Sequence, residues 1–294
     1  NVQFDLDTNA TLTMGNLAGH DQGSYVLAAD TVVDAPALTS MTNVSLTLAN
    51  GSQLNSPLLS NISGSTVNLS SGLQQFTHDT LSSVDARLLI SGGAVFGGAS
   101  DTEYDARSLG YNVPVISADG AGSAVNLPGV QTINAGWNDN ISYAWYQQIV
   151  ASNGGVIDLS GVTTIIAPYR GEDRLEIIVN HDGAVPLIDL SSLQTLSSAN
   201  AGDTLFDISA GTNLVLGNLT TASNVQFDLA TNVTLTMGNL TSHDLGSYVL
   251  AADAVVDAPV LASLTNVSLT LADGSHLNSP LLSNISGSTV NLSS

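Results

Sequence analysis

Apolar and polar residues alternate along most of this chain in short runs such as "VQFDL", "VSLTL", "LEIIV" and "LFDI", each broken by a cluster of Gly, Asn or Asp. Alternation at period two predicts half-buried strands, and no stretch sustains the longer period of an amphipathic helix. Between the runs a second pattern recurs: an apolar residue, Asp or Asn, a small residue or Leu, Pro or Ser, any residue, then Leu or Val. It reads "VDAPAL" ending at Leu38, "LNSPLL" at Leu59, "VNLPGV" at Val130, "IDLSGV" at Val162, "IDLSSL" at Leu193, "VDAPVL" at Leu261 and "LNSPLL" at Leu282, with looser versions ending at Leu17, Leu73, Ala99, Leu219 and Leu240. The steps from Leu17 to Leu240 are 21, 21, 14, 26, 31, 32, 31, 26 and 21 residues, nine steps in all. Two or three short strands per coil of about 21–32 residues, repeated without a helical half, predict an all-β parallel β-solenoid. One such coil cannot bury its own inner face, whereas stacked coils bury a continuous core of Leu, Val and Ile. A leucine-rich-repeat-like solenoid is the alternative, because "LASLTNVSLTLADGSHL" spaces its leucines similarly, but the missing helical half and the variable coil length argue against it.

The whole passage Asn1 to Ser71 returns as Asn224 to Ser294, with 60 identities in 71 positions and no gap. The period is therefore 223 residues, and residues 72–223 occur once. Residues 1–294 are expected to form one continuous solenoid segment, a window onto a longer repeat array. At about 4.8 Å per strand, nine coils advance roughly 43 Å along the axis.

With "GGVIDLSGVTTI", "VPLIDLSSLQTL" and the near-verbatim long repeat, the chain resembles the repeat regions of giant secreted bacterial surface proteins, the adhesin-like and fibre-forming β-solenoids. The resemblance spans the whole chain and implies an extracellular or cell-surface location and a structural or adhesive role. It supplies no catalytic residue.

Charge narrows the partners. Lys is absent, Arg87, Arg107, Arg170 and Arg174 are the only Arg residues, and the formal net charge is -21. Four cations cannot neutralise a phosphate backbone or an anionic lipid surface, so nucleic acid and membrane are disfavoured and no segment here reads as membrane-inserted. Cations, neutral glycans and other copies of the chain remain. Cysteine is absent, which removes disulfides and thiolate chemistry and fits an exported protein.

The Asp or Asn of the short motif forms a column holding Asp34, Asn55, Asn126, Asp158, Asp189, Asp257 and Asn278. Carboxylates stacked one strand apart repel by about 1 kcal/mol when solvated. Two readings follow: a solvated column that discourages lateral aggregation, with Asn amide ladders interposed, or a cation column in which Ca²⁺ bridges Asp34, Asp158, Asp189 and Asp257 to their neighbours. "GGASDTEYD" is similar to a calcium-binding repeat motif but occurs once, and such motifs act in tandem.

Aromatics and cations concentrate in one region. All four Arg, both Trp and five of the seven Tyr lie between residues 87 and 174, where the coils are longest. Over residues 94–184 the extra length reads as projecting loops, "ASDTEYDARSLGYN", "NAGWNDNISYAWYQQ" and "APYRGEDRLE", inserted at one point of consecutive coils. Stacking would gather Tyr104, Asp105, Arg107, Tyr111, Trp137, Asp139, Tyr143, Trp145, Tyr146, Tyr169, Arg170, Glu172, Asp173 and Arg174 into one patch with the composition of a contact surface. A lateral self-interface, a glycan site and a local cap under the loops compete for it. Catalysis is disfavoured: Asp105, Asp139, Glu172 and Asp173 could furnish a carboxylate pair, but no nucleophile and base are paired in the sequence and an array would copy the site in every period. His20, His78, His181, His243 and His276 stand singly and are expected on surface turns, and the many Asn-x-Ser/Thr sequons arise wherever a turn Asn precedes an alternating strand.

Overall fold

The structure, a computed structural model, describes residues 2–138, 143–197, 202–209 and 211–293. Every element among them is a strand, and every strand pairing is parallel. The chain is a parallel β-solenoid, which removes the leucine-rich alternative: no helical half exists among the described residues.

One core column traces the whole period. Phe4 pairs with Tyr25, and the ladder continues through Leu46, Val67, Leu88, Ile116, Ile149, Ile177 and Phe206 to Phe227, nine pairings in succession, with one bulge just before Ile116. From Phe227 the sequence of partners starts again with Tyr248, Leu269 and Val290. Nine coils therefore make one period, as the motif steps predict. Partners lie 21 residues apart in the short coils and 28 to 33 apart in the long ones. The predicted 14-residue step does not exist. Leu73 is a turn residue, 70% exposed, and the inward position of that rung is taken by Leu81, which is fully buried.

Each coil has three limbs, here faces A, B and C in chain order. In a long coil they are separate strands, for example Thr132–Asn134, Tyr146–Ser152 and Val156–Asp158. In a short coil A and B fuse into one strand such as Ser40–Leu48, bent where Asn43 takes a left-handed conformation (φ 55°). Asn224 and Asn266 turn the same corner, and Asp30, Asn232 and Asp253 turn the corner from B to C. Asn and Asp tolerate positive φ better than other non-glycine residues, which explains why a strand-rich chain holds so many of them. Where a coil uses glycine instead, the neighbour explains it: a Cβ on Gly51 would stand 2.2 Å from Asp30 Oδ1 of the preceding coil.

The short motif is the corner from C back to A. Its Asp or Asn ends the C strand pointing outward, and the final Leu or Val donates its N–H back across a β-turn, from Leu38 to Ala35 O (3.1 Å), Val130 to Leu127 O (3.1 Å) and Val162 to Leu159 O (2.9 Å). Pro or Ser falls at the first central turn position, where a preset φ is favoured. Leu38, Leu59, Val130, Val162, Leu193 and Leu261 all enter the core from this turn.

His20 and His243 depart from the expectation of surface turns. Both point inward on face A, 7% and 1% exposed, wedged edge-on against Phe4 and Tyr25 or against Phe227 and Tyr248. Each pairs with an apolar neighbour in the next coil, Met41 and Leu264 respectively, which fixes its side.

Candidate functional site

The long coils differ from the short ones mainly at the corner between faces A and B; the corner from B to C is lengthened once, at residues 181–186 against 49–52 in a short coil. Where Asn43 alone turns the chain in a short coil, residues 106–112 and 167–173 do so in long coils, and in the long coil between them the described part of the insertion is 135–138 and 143–145. The insertions therefore stack on one edge of the solenoid, at the corner that lies opposite face C.

Not all the candidate residues project there. Tyr104 is fully buried in strand Glu103–Asp105, and its hydroxyl is shared between Ala86 O (2.8 Å) and Val115 O (3.0 Å). Burial, and the nearby Asp85 carboxylate, push its pKa well above the usual phenol range. Trp137 is 2% exposed and Asp173 is fully buried, with Oδ1 accepting the Trp145 backbone N–H at 3.0 Å. Tyr111 packs between Trp137 (5.4 Å) and Trp145 (5.8 Å), so these three rings form the floor beneath the loops. Asp139 lies outside the described residues.

The outer surface is made by Tyr143, Tyr169 and Tyr146, which are 72%, 55% and 36% exposed. Around them the guanidiniums are already engaged within the chain. Arg107 grips Asp105 through two bonds (2.9 and 2.6 Å) and holds that carboxyl below its ordinary pKa. Arg170 pairs with Glu172, Arg174 reaches Asp203 of the next coil (3.0 and 3.2 Å), and Arg87 donates to Pro114 O (3.1 Å). Such exposed pairs contribute about 0–1 kcal/mol each, so their main effect is to orient the loops. A hollow of about 450 Å³ lies between Asp105, Arg107, Tyr111 and Asn138, and one of about 210 Å³ between Tyr146, Glu172, Arg174 and Glu176.

The sequence reading missed Gln147, which is fully buried and donates to Ala106 O (2.6 Å) and Gly110 O (2.9 Å), tying down the first loop from inside. Parity could have found it: in strand Tyr146–Ser152 the inward positions are Gln147, Ile149 and Ala151, and a Gln among them needs a partner.

The acidic column is discontinuous. Asp34 accepts from Asn55 Nδ2 (2.8 Å) and Asp257 from Asn278 Nδ2 (2.7 Å), so amide ladders relieve both. Only Asp158 and Asp189 stack directly, each also capping its own turn through the N–H of Ser160 (3.0 Å) and Ser191 (2.8 Å). Among the described residues no group of three or more His, Asp or Glu converges as a metal site. A second stacked pair, Asp207 and Asp228, lies on face B, and burial raises the pKa of both.

Replacing Asp189 with Asn reproduces the Asp–Asn ladder of the short coils while keeping the cap on Ser191. We expect this variant to be more stable by about 0.5–1 kcal/mol at low salt, the gain shrinking in high salt. Urea midpoints at two ionic strengths test it, and a loss of stability would mean that the carboxylate pair is relieved by another group.

The chemistry available at the loop corner is that of contact: exposed phenols, oriented ion pairs and shallow hollows on a rigid scaffold. Asp105 and Glu172 are bound to arginines and Asp173 is buried against backbone. No protein-family model, no curated protein and no solved structure matches the chain.

Proposed function

We propose that this chain is a structural repeat unit of an extracellular, self-associating bacterial fibre or matrix protein and that it performs no catalysis. The observation that carries this reading is the core column, which passes from Phe4 to Phe227 in nine pairings and then starts over. A solenoid whose register closes on its own sequence repeat extends into a rod without a new junction, and every period offers the same side surfaces. Stability in such a molecule comes from nearest-neighbour coil interfaces, so length adds stiffness without a new core. The acidic surface keeps rods soluble, and the tyrosine corner supplies lateral contacts. A second reading, the stalk of an adhesin that holds glycans on Tyr143, Tyr146 and Tyr169 beside carboxylates, is favoured by the exposure of those three rings.

Electron microscopy of the purified chain across concentration, with and without a Ca²⁺ chelator, tests both. The expected result is ordered lateral assemblies with an axial period of about 43 Å, and loss of lateral order on chelation would assign the contacts to bridging cations. Rods that stay single at every concentration and are retained by immobilised polysaccharide would replace the fibre reading with the stalk.

A further inference from the structure

Face C of the long coils carries a second surface, separate from the loop corner. Its five-stranded sheet points Val95, Ala124, Val156 and Leu187 outward in one column and Gly97, Asn126, Asp158 and Asp189 in the next. Inward, the same strands bury Phe96, Val125, Ile157 and Ile188, so the outer column is not needed for the core. Val95 is 60% exposed, and Val185 and Val215 at the edges of this sheet are 53% and 37% exposed. In the equivalent column of the short coils single valines alternate with polar residues, Thr11, Val32, Gln53 and Gln75 in the first and Thr234, Val255 and His276 in the last, so the unbroken apolar run is found in four consecutive coils, three of which carry the loops.

Chain order places this stripe and the tyrosine corner on opposite sides of the rod at the same axial level. The corner lies between faces A and B, and face C closes the triangle across from it. We propose that the two surfaces recognise each other on neighbouring copies: the corner of one copy, through Tyr143 and Tyr169, docks on the Val156–Leu187 stripe of the next. This inference rests on the self-association reading and assigns its geometry.

Charge favours the pairing. Arg107, Arg170 and Arg174 sit at the corner, each paired with a carboxylate of its own chain (Asp105, Glu172 and Asp203), which brings the corner close to neutral, while face C offers the stacked Asp158 and Asp189 and no Arg. In a chain of net charge -21, contact between copies is least repulsive where this near-neutral corner meets the stacked carboxylates. Phenol rings against an aliphatic stripe then supply the apolar centre. Because the two patches differ and lie on opposite sides, the contact is heterologous and does not close: each copy uses its corner toward one neighbour and its face C toward another, giving a flat row of parallel rods.

Sedimentation of the whole chain and two surface variants tests this. One variant is Val156→Lys with Leu187→Lys, the other Tyr143→Ser with Tyr169→Ser, and all four side chains are outside the core. The wild type is expected to form open-ended oligomers as concentration rises, and each variant alone to lose at least about tenfold in association. A one-to-one mixture of the variants is expected to form dimers and nothing larger, since one intact corner meets one intact face C. A wild type that stays monomeric would sink the self-association reading and this inference with it. A wild type that associates while either variant associates equally well, or a mixture that fails to recover dimers, would overturn this inference alone.

Discussion

Phe227→Ala should destabilise the chain far more than Phe4→Ala, although the two residues are copies of one position. Phe227 is fully buried, stacked between Phe206 (5.2 Å) and Tyr248 (5.3 Å), both within 16° of parallel. Phe4 stacks on Tyr25 (5.0 Å) and has no coil on its other side among the described residues. Removing a fully enclosed Phe leaves a cavity and costs about 3–5 kcal/mol, whereas a half-covered ring forfeits roughly half of that or less. Because solenoid stability is a sum of coil interfaces, Phe227→Ala weakens two interfaces and Phe4→Ala one. Urea titrations followed by circular dichroism measure the difference, with hydrogen exchange showing whether the loss is local to the rungs touched. Equal effects would mean that the two copies do not occupy the environments described here. The comparison also bears on the array: in continuous repeats each such Phe acquires a ring above it, and the two substitutions converge.

The fold was legible because its determinants are periodic. The turn motif carries the count of nine coils, the long repeat carries the period and strand alternation carries the element type. Boundaries failed where the motif degenerated, as at Leu73, because a Leu in the right composition cannot reveal that it sits on a turn rather than in a rung. The loop corner was legible as a place, since all three insertions interrupt the chain between the same two limbs. Which residues point outward was not: an insertion resets the period-two parity, so Tyr104 and Trp137 read like loop residues while their rings lie in the core and in the floor of the loops. His20 was obscured differently. "GHDQGS" has the composition of a turn, yet a single left-handed residue, Gln22 (φ 58°), suffices to bend it, leaving His20 on an ordinary inward position above Met41.

The second copy of that position, His243, makes acid lability the second large expected effect. His243 is 1% exposed, and neither ring nitrogen makes a well-formed hydrogen bond. Burial lowers its pKa from 6.5 to about 4, outweighing the opposing influence of the Val225 and Leu245 backbone and of Asp244. The folded state accommodates neutral imidazole, while the unfolded chain takes up the proton near the ordinary value. His243 therefore withholds nothing from stability above pH ~6.5, and stability falls as the pH drops from there toward 4, by about 3 kcal/mol over the whole interval. Carboxylates titrate toward the lower end of the same range, so a control must remove only the imidazole. His243→Leu does so with a side chain the fold already uses one rung on, at Leu264. Near pH 7.5 the variant should match the wild type within about 1 kcal/mol, since a well-packed Leu replaces a buried polar ring. At pH 4.5 it should be the more stable of the two by about 2 kcal/mol or more. Parallel decline of both proteins would show that the imidazole stays uncharged through unfolding or finds a partner on protonation, and the acid sensitivity would then belong to carboxylates whose folded pKa is lowered, such as Asp105 in the grip of Arg107; the stacked pair Asp207 and Asp228, with raised pKa values, works in the opposite direction.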